Sequence, residues 1–435
     1  MTYNFIKTNA LLGRWAKLTC VFFISIAIFI FSVLDGSYIA VLYLCFALSL
    51  INVLRFSHRF FIFSVFFFIF IFPFDFLLTE LVNAPLFPGY KKEYISLVFS
   101  ILCIFQGACL LIRAPRESFV YRRIEFIKDK WLLVACFIFF AIGLYMFKGE
   151  SIFSASKSYS TYQANIENSS GLNEYLLIFS VFILLIKKSF LMRCVFVGLM
   201  GVFVTKAIFY GFRVQAIMGL LVIFITVFKR DPPRVFSILI MVSGFFAMLI
   251  FGFMKEGAEI DNLSLDLLVD VRHGYAQSHQ HGVLSSSTII LSHSESLSLE
   301  QKLFTIPALI LASTVPRRFL NDVIPWVYPS SYVQTFEYTP GGGLFLIQIY
   351  FLLGVGGVIV FLVSFAYLLS YFSKLNIVTK SKDKYILALI VYMFVFLPRW
   401  ISYDFFNYGL RGYFLIFLLV FLHSLLKSKR DVNNG

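Results

Sequence analysis

Four of the six histidines of this chain, His273, His279, His281 and His293, fall in one stretch, and three of them lie in "VRHGYAQSHQHGV", residues 271 to 283. Imidazole is the side chain whose ordinary pKa lies nearest neutrality, so such a cluster offers a general base, a proton carrier or a set of metal ligands. Asp270 and Arg272 flank it. The carboxylate can orient an imidazole or act as the base itself, and a guanidinium can grip a phosphate with two parallel hydrogen bonds. Two blander readings stand beside these. Arg272 and His273 suit a helix C-terminus, where the dipole favours cations, and the remaining histidines suit a solvated loop. A zinc site would use His279 and His281 on one face of a strand, but no second ligand pair stands at zinc spacing, so no metal is expected.

These polar groups stand in a chain that is 60% hydrophobic and 14% charged, with 56 phenylalanines and a mean hydropathy of +0.86. That balance excludes an ordinary soluble domain. Crossing the hydrocarbon of a bilayer takes roughly 20 apolar residues. Twelve runs approach that length: 18–34, 38–54, 60–79, 94–112, 131–147, 174–186, 194–209, 214–228, 235–254, 343–372, 385–398 and 410–426. The expected fold class is an all-α polytopic membrane protein with about 12 transmembrane helices and both termini cytoplasmic. One large outer loop separates the ninth and tenth helices. The organisation is 1–254 (helices one to nine), 255–342 (the outer loop, with short helices) and 343–435 (the last three helices and a cytoplasmic tail).

Charge placement tests this count, because cytoplasmic loops collect Lys and Arg. The residues Lys7, Arg14 and Lys17, the segments 55–59, 113–130, 187–193, 229–234 and 374–384, and the tail from 427 hold 24 of the 37 Lys and Arg but 6 of the 23 Asp and Glu. The formal excess of +14 is thus a consequence of topology. Because the basic residues are scattered over seven short segments, no nucleic-acid partner is expected. The first apolar run has no small-residue cleavage site after it and reads as a retained helix. All six cysteines fall in the apolar runs or at their edges, which leaves no disulfide framework for the outer loops.

Within 255–342 the spacing of Leu263, Leu267 and Val271 predicts a short helix ending at Gly274. Ser298 and Gln301 form a weak capping box before "LEQKLFTIPALILAS". That run is too short to span and contains Pro307, so it reads as a re-entrant or interfacial segment whose backbone protein must surround.

Arginines on the outer face are few: Arg213, Arg272, Arg317, Arg318, Arg399 and Arg411. Arg213 stands in the tight turn "YGFRVQ", with Lys206 about two helical turns below it. Each is either an interfacial anchor, snorkelling in the case of Lys206, or the wall of a wet cavity. Arg317 and Arg318, bracketed by Pro316 and Pro325, suit either lipid headgroups or a bound pyrophosphate. "PGGGLFLIQIY", at the start of the tenth run, permits close backbone approach. Asp75 beside Pro73, and "PRWISYDFF" with Arg399 and Asp404, add polar groups at outer edges.

The chain resembles the O-antigen polymerases, the Wzy-type oligosaccharide repeat unit polymerases. The likeness rests on about twelve spans, two cytoplasmic ends and a large loop before the last three spans. It is reinforced locally by Gly211-Phe212-Arg213, by Pro316-Arg317 after a short apolar run, and by the glycines opening the tenth span. The resemblance implies a glycosyltransferase of the bacterial inner membrane acting at the periplasmic face. Its substrate would be an undecaprenyl-pyrophosphate-linked oligosaccharide, whose growing glycan is moved onto the next lipid-linked unit without nucleotide or other cofactor. Besides the lipid bilayer, it implies as partner a chain-length regulator, the polysaccharide co-polymerase of that membrane. Carried onto this chain, His279, His281, His273 and Asp270 are the candidate bases. Arg213, Arg317, Arg318, Arg272, Arg399 and Lys206 are the candidate contacts to pyrophosphate and glycan. O-antigen ligase, with the same donor, and a multi-spanning polysaccharide flippase or transporter are the alternatives.

Overall fold

The computed structural model describes residues 38–86, 89–112, 119–146, 159–210, 212–255, 271–272, 275–276, 278–315, 319–320, 322–339, 342–374, 381–403, 405 and 411–433. The first apolar run, 18–34, lies outside them.

In apolar surroundings a chain must satisfy its own backbone hydrogen bonds, and each remaining apolar run is helical. The helices are α1 Tyr38–Phe56, α2 Phe60–Leu81, α3 Lys92–Leu110, α4 Lys130–Met146, α5 Tyr159–Leu184, α6 Phe190–Phe209, α7 Arg213–Val227 and α8 Arg234–Lys255. After a short hairpin follow α9 His279–Ser292, α10 Leu299–Thr314, α11 Pro329–Val333, α12 Phe345–Lys374, α13 Ser381–Val395, α14 Leu397–Ser402 and α15 Gly412–Asn433. Among the described residues, five helices are long and apolar enough to cross a membrane: α1, α2, α3, α6 and α12.

Helix α2 is the most enclosed of these, and its phenylalanines interlock with their neighbours. Phe60 stacks on Phe224 of α7 at 4.1 Å, Phe61 meets Phe394 of α13 at 4.0 Å, and Phe66 stacks on Phe56 of α1 at 4.7 Å. Such pairs add roughly 0.5–1.5 kcal/mol each beyond area burial.

At one end of the bundle the basic connections meet. Val120 bridges to Arg230, and Ile127 to Ile186. Asp231 accepts from the Phe60 amide at 3.2 Å and from the Tyr121 hydroxyl at 2.5 Å. Glu125 holds Arg193 at 2.6 Å. Lys188 donates to the carbonyls of Ile183 and Ile186 at 2.6 Å each, closing the C-terminus of α5. Burial pushes its ammonium pKa down to about 8. Among the described residues, parts of four of the basic segments, 55–59, 113–130, 187–193 and 229–234, thus meet at one end.

Three expectations are corrected. Val271 and Arg272, placed at the end of a helix by their spacing, pair antiparallel with Tyr275 and Ala276; the other residues of that helix, 261–270, 273 and 274, lie outside the described residues. Helix α5 starts at Tyr159, well before the apolar run 174–186 from which its helix was expected. The histidine-bearing stretch is no solvated loop either. His279 and His281 open α9, a helix buried against α2, α3, α11 and the start of α12.

The sequence of α9, "HQHGVLSSSTIILS", can be buried because its hydroxyls bond back into the helix. Ser286 donates to the Gly282 carbonyl at 2.9 Å, Ser287 to Val283 at 2.7 Å and Thr288 to Ser285 at 2.8 Å. Ser287 also accepts from the Leu344 amide at 2.9 Å, tying α9 to the start of α12. The glycine run before α12 is needed there. A Cβ on Gly342 would lie 2.2 Å from the Tyr403 Cα. Gln348 completes the junction, donating to the Tyr403 carbonyl at 2.6 Å and accepting from the Phe405 amide at 3.1 Å.

The capping box at Ser298 and Gln301 is present and opens α10. One side of that helix, with Leu299, Leu303, Phe304, Ile306 and Ile310, is exposed. An apolar face open to the surroundings is consistent with the interfacial reading.

Candidate site at the first turn of α9

The end of the bundle opposite the basic connections gathers the polar side chains around Ser278, the N-cap of α9. Its hydroxyl accepts from the His281 amide at 3.1 Å, satisfying one of the unpaired donors of a helix start. The same hydroxyl donates to Oδ2 of Asp75 at 2.6 Å. His281 Nδ1 reaches that oxygen at 2.7 Å, and the imidazole stacks on Phe76, with 5.7 Å between centroids and 8° between planes. Asp75 is 0% and His281 1% exposed, and among the described residues the buried atoms Asp75 Oδ1 and His281 Nε2 have no hydrogen-bond partner. A serine, a histidine and an aspartate thus meet, but not as a nucleophile. Activation would place the hydroxyl on Nε2, on the far side of the ring from the carboxylate. Here it shares the carboxylate side with Nδ1.

Two positions earlier, His279 turns to different partners. Its half-buried ring lies against Tyr403, 5.2 Å between centroids and 27° between planes. The guanidinium of Arg399, on α14, lies 4.7 Å from the centroid of the same Tyr403 ring. Arg399 is held by Glu174 of α5 at 2.5 Å, and Gln215 of α7 donates to the same carboxylate oxygen at 3.3 Å. Arg213 is the first residue of α7 and half-buried, and it makes no hydrogen bond or ion pair among the described residues. Burial first, then the charges of Arg213 and Arg399, push the pKa of His279 down to about 3, so its imidazole is neutral at pH 7. A neutral imidazole beside two guanidiniums can accept a proton next to a bound anion.

The histidines expected to act together are divided. His293 caps the far end of α9, stacked on Phe336 at 5.8 Å, about 20 Å along the helix from His279. Lys206 donates to the Leu144 carbonyl at 2.8 Å, in the last turn of α4. That bond satisfies a helix-end acceptor. Arg411, at the start of α15, reaches the Tyr175 hydroxyl at 3.3 Å. His273, Asp270, Arg317 and Arg318 lie outside the described residues, and of Arg272 only the backbone is described. Among the described residues no group of three His, Cys, Asp or Glu could hold a metal.

Sequence reasoning missed Glu174, Gln215 and Tyr403. A signal for the first was present, since Glu174 is an acid at the first residue of an apolar run, where an outer arginine could find it.

No protein-family profile, no curated protein and no solved structure matches the chain.

Proposed function

We propose that the protein is a glycosyltransferase of the bacterial inner membrane that polymerises undecaprenyl-pyrophosphate-linked repeat units of O-antigen or a similar surface polysaccharide. In this reading about twelve helices span the bilayer, the basic connections face the cytoplasm, and the first turn of α9 faces the periplasm. The observation that carries it is the His279 ring stacked on Tyr403, over which the guanidinium of Arg399 also lies, held there by Glu174. An acceptor hydroxyl attacks the anomeric carbon of the donor glycan, a new C–O bond forms, and the bond from that carbon to the pyrophosphate breaks. The pyrophosphate leaves with the bonding pair. Arg213 and Arg399 stabilise the charge it gains, and His279 takes the hydroxyl proton.

A pKa of about 3 would make a feeble base at pH 7. Burial is the larger cause of that depression and the guanidiniums the smaller, so a pyrophosphate placed between them offsets their share and raises the basicity of the imidazole by that part. His279 is thus armed when the donor is in place. Arg317 and Arg318 are further contacts for the pyrophosphate in this reading.

The test is transfer by purified protein in liposomes containing lipid-linked repeat units. A ladder of lipid-linked products supports the polymerase. Transfer only onto added lipid A core would identify a ligase, and movement of the lipid across the bilayer without transfer would identify a flippase.

A further inference from the structure

The buried group of Asp75, Ser278 and His281 takes no part in the steps above. It lies between the core and the first turn of α9. The oxygen Asp75 Oδ2 receives two donors from that turn, the Ser278 hydroxyl at 2.6 Å and His281 Nδ1 at 2.7 Å. Phe76, the next residue on α2, backs the imidazole face to face. The distal part of α9 is tied separately, through Ser287 to Leu344 and through Thr288 to the Lys91 amide.

Stability alone does not account for such a carboxylate. Desolvating it is costly, one of its oxygens has no partner among the described residues, and an apolar residue of similar size would pack the same space at less cost. What the carboxylate adds is direction. Two hydrogen bonds converging on one fixed oxygen set both the height and the rotation of a helix start, which apolar contact leaves free to slide. His279 belongs to the turn so fixed. With Ser278 and His281 anchored towards α2, its ring is delivered to Tyr403, Arg399 and Arg213.

We infer that Asp75 is a positioning residue: through Ser278 and His281 it holds the first turn of α9 so that the His279 imidazole meets the anion site. The inference rests on the reading of His279 as the base. Asp75 touches no reacting atom. Its effect falls on the rate of the chemical step and leaves binding of the lipid-linked substrate unchanged.

The experiment uses the full-length protein in lipid nanodiscs, wild type against Asp75→Asn, which keeps the side chain's shape and removes its charge. Amide hydrogen exchange over residues 281–284 is expected to quicken about tenfold while that over 287–291 stays unchanged. In the transfer assay kcat is expected to fall about tenfold with KM unchanged. The double variant Asp75→Asn, His281→Gln is expected to be no slower than the slower single variant, because both changes break one latch. Should Asp75→Asn fail to accumulate, His281→Gln carries the same readouts. Unchanged exchange in the first turn overturns the inference, as does a normal kcat per folded molecule accompanied only by a lower unfolding temperature. Absence of any transfer by the wild type overturns instead the reading of His279 on which the inference rests.

Discussion

Replacing Arg213 by lysine separates chemistry from folding. Because the guanidinium makes no hydrogen bond or ion pair among the described residues, no contact described in the protein is lost. The expected change in stability is that of an ordinary partly exposed position, within about 0.5 kcal/mol. The reaction should suffer far more. Lysine keeps the charge but not the planar fork that follows charge onto phosphate oxygens, and loss of one preorganised stabiliser costs roughly 3 kcal/mol, or about 150-fold in kcat. Arg213→Gln removes the charge as well. The pKa of His279, held down to about 3 first by burial and then by Arg213 and Arg399, rises by the part that Arg213 causes. A base works only above its own pKa, so the acid limb of kcat/KM moves to higher pH in that variant. The assay is the initial rate of chain extension in liposomes between pH 4 and 8, with protein amount checked in the same membranes. Lysine at 213 leaving kcat within threefold of wild type, or glutamine moving the limb to lower pH, would refute the reasoning.

Further expectations concern the wild type and the fold. In the wild type the acid limb of kcat, which reports the donor complex, is expected at higher pH than that of kcat/KM, which reports the free enzyme; coincident limbs would mean that the donor does not arm His279. Gly342→Ala forces a Cβ to 2.2 Å from the Tyr403 Cα and should cost about 1–3 kcal/mol, whereas Gly201→Ala, with nothing within 4 Å, should be neutral or stabilising; unfolding temperatures in detergent compare them. Gln106→Leu removes the 2.7 Å partner of Asn52 Nδ2 and leaves that buried amide one bond short, so the same measurement should show a loss of about 1–2 kcal/mol. A cysteine replacing the exposed Ser296 should react with an impermeant thiol reagent added outside spheroplasts, and one replacing Lys229 should not; the reverse pattern would invert the orientation.

The apolar helices were legible because their sequences leave the backbone no other partner than itself: the runs 38–54, 60–79 and 94–112 became α1, α2 and α3 with ends moved by only a few residues. Helix α9 was hidden by its own chemistry. A row of serines reads as solvated loop, and only the fold shows those hydroxyls turned back onto carbonyls one turn away. The histidine cluster misled in the same way. Closeness in sequence suggested one site, but a helix start sends His279 and His281 to different partners and carries His293 to its other end. Arg213 and Arg399 were legible as scarce outer cations. That they flank one imidazole was not, since it depends on α7, α9 and α14 converging, and no local pattern encodes such long-range packing.

Helix α12 is 30 residues long, about 45 Å, against roughly 30 Å of hydrocarbon in a bilayer. It is broken at Gly354, where φ is 61° and ψ −159°. Before the break, Phe345, Leu346 and Ile347 are wholly enclosed by the assembly that holds Tyr403; after it, Val355, Ile359 and Val360 are 61%, 54% and 66% exposed. The stretch below Gly354 is about one hydrocarbon thickness long. In a bilayer, an unbroken rod would carry every change of tilt straight up to Gln348 and the chain around Tyr403. A glycine joint interrupts that lever. When lipids of different length alter the slab around the lower segment, its angle can change while the upper one stays fixed, leaving the geometry at His279 insulated from membrane thickness.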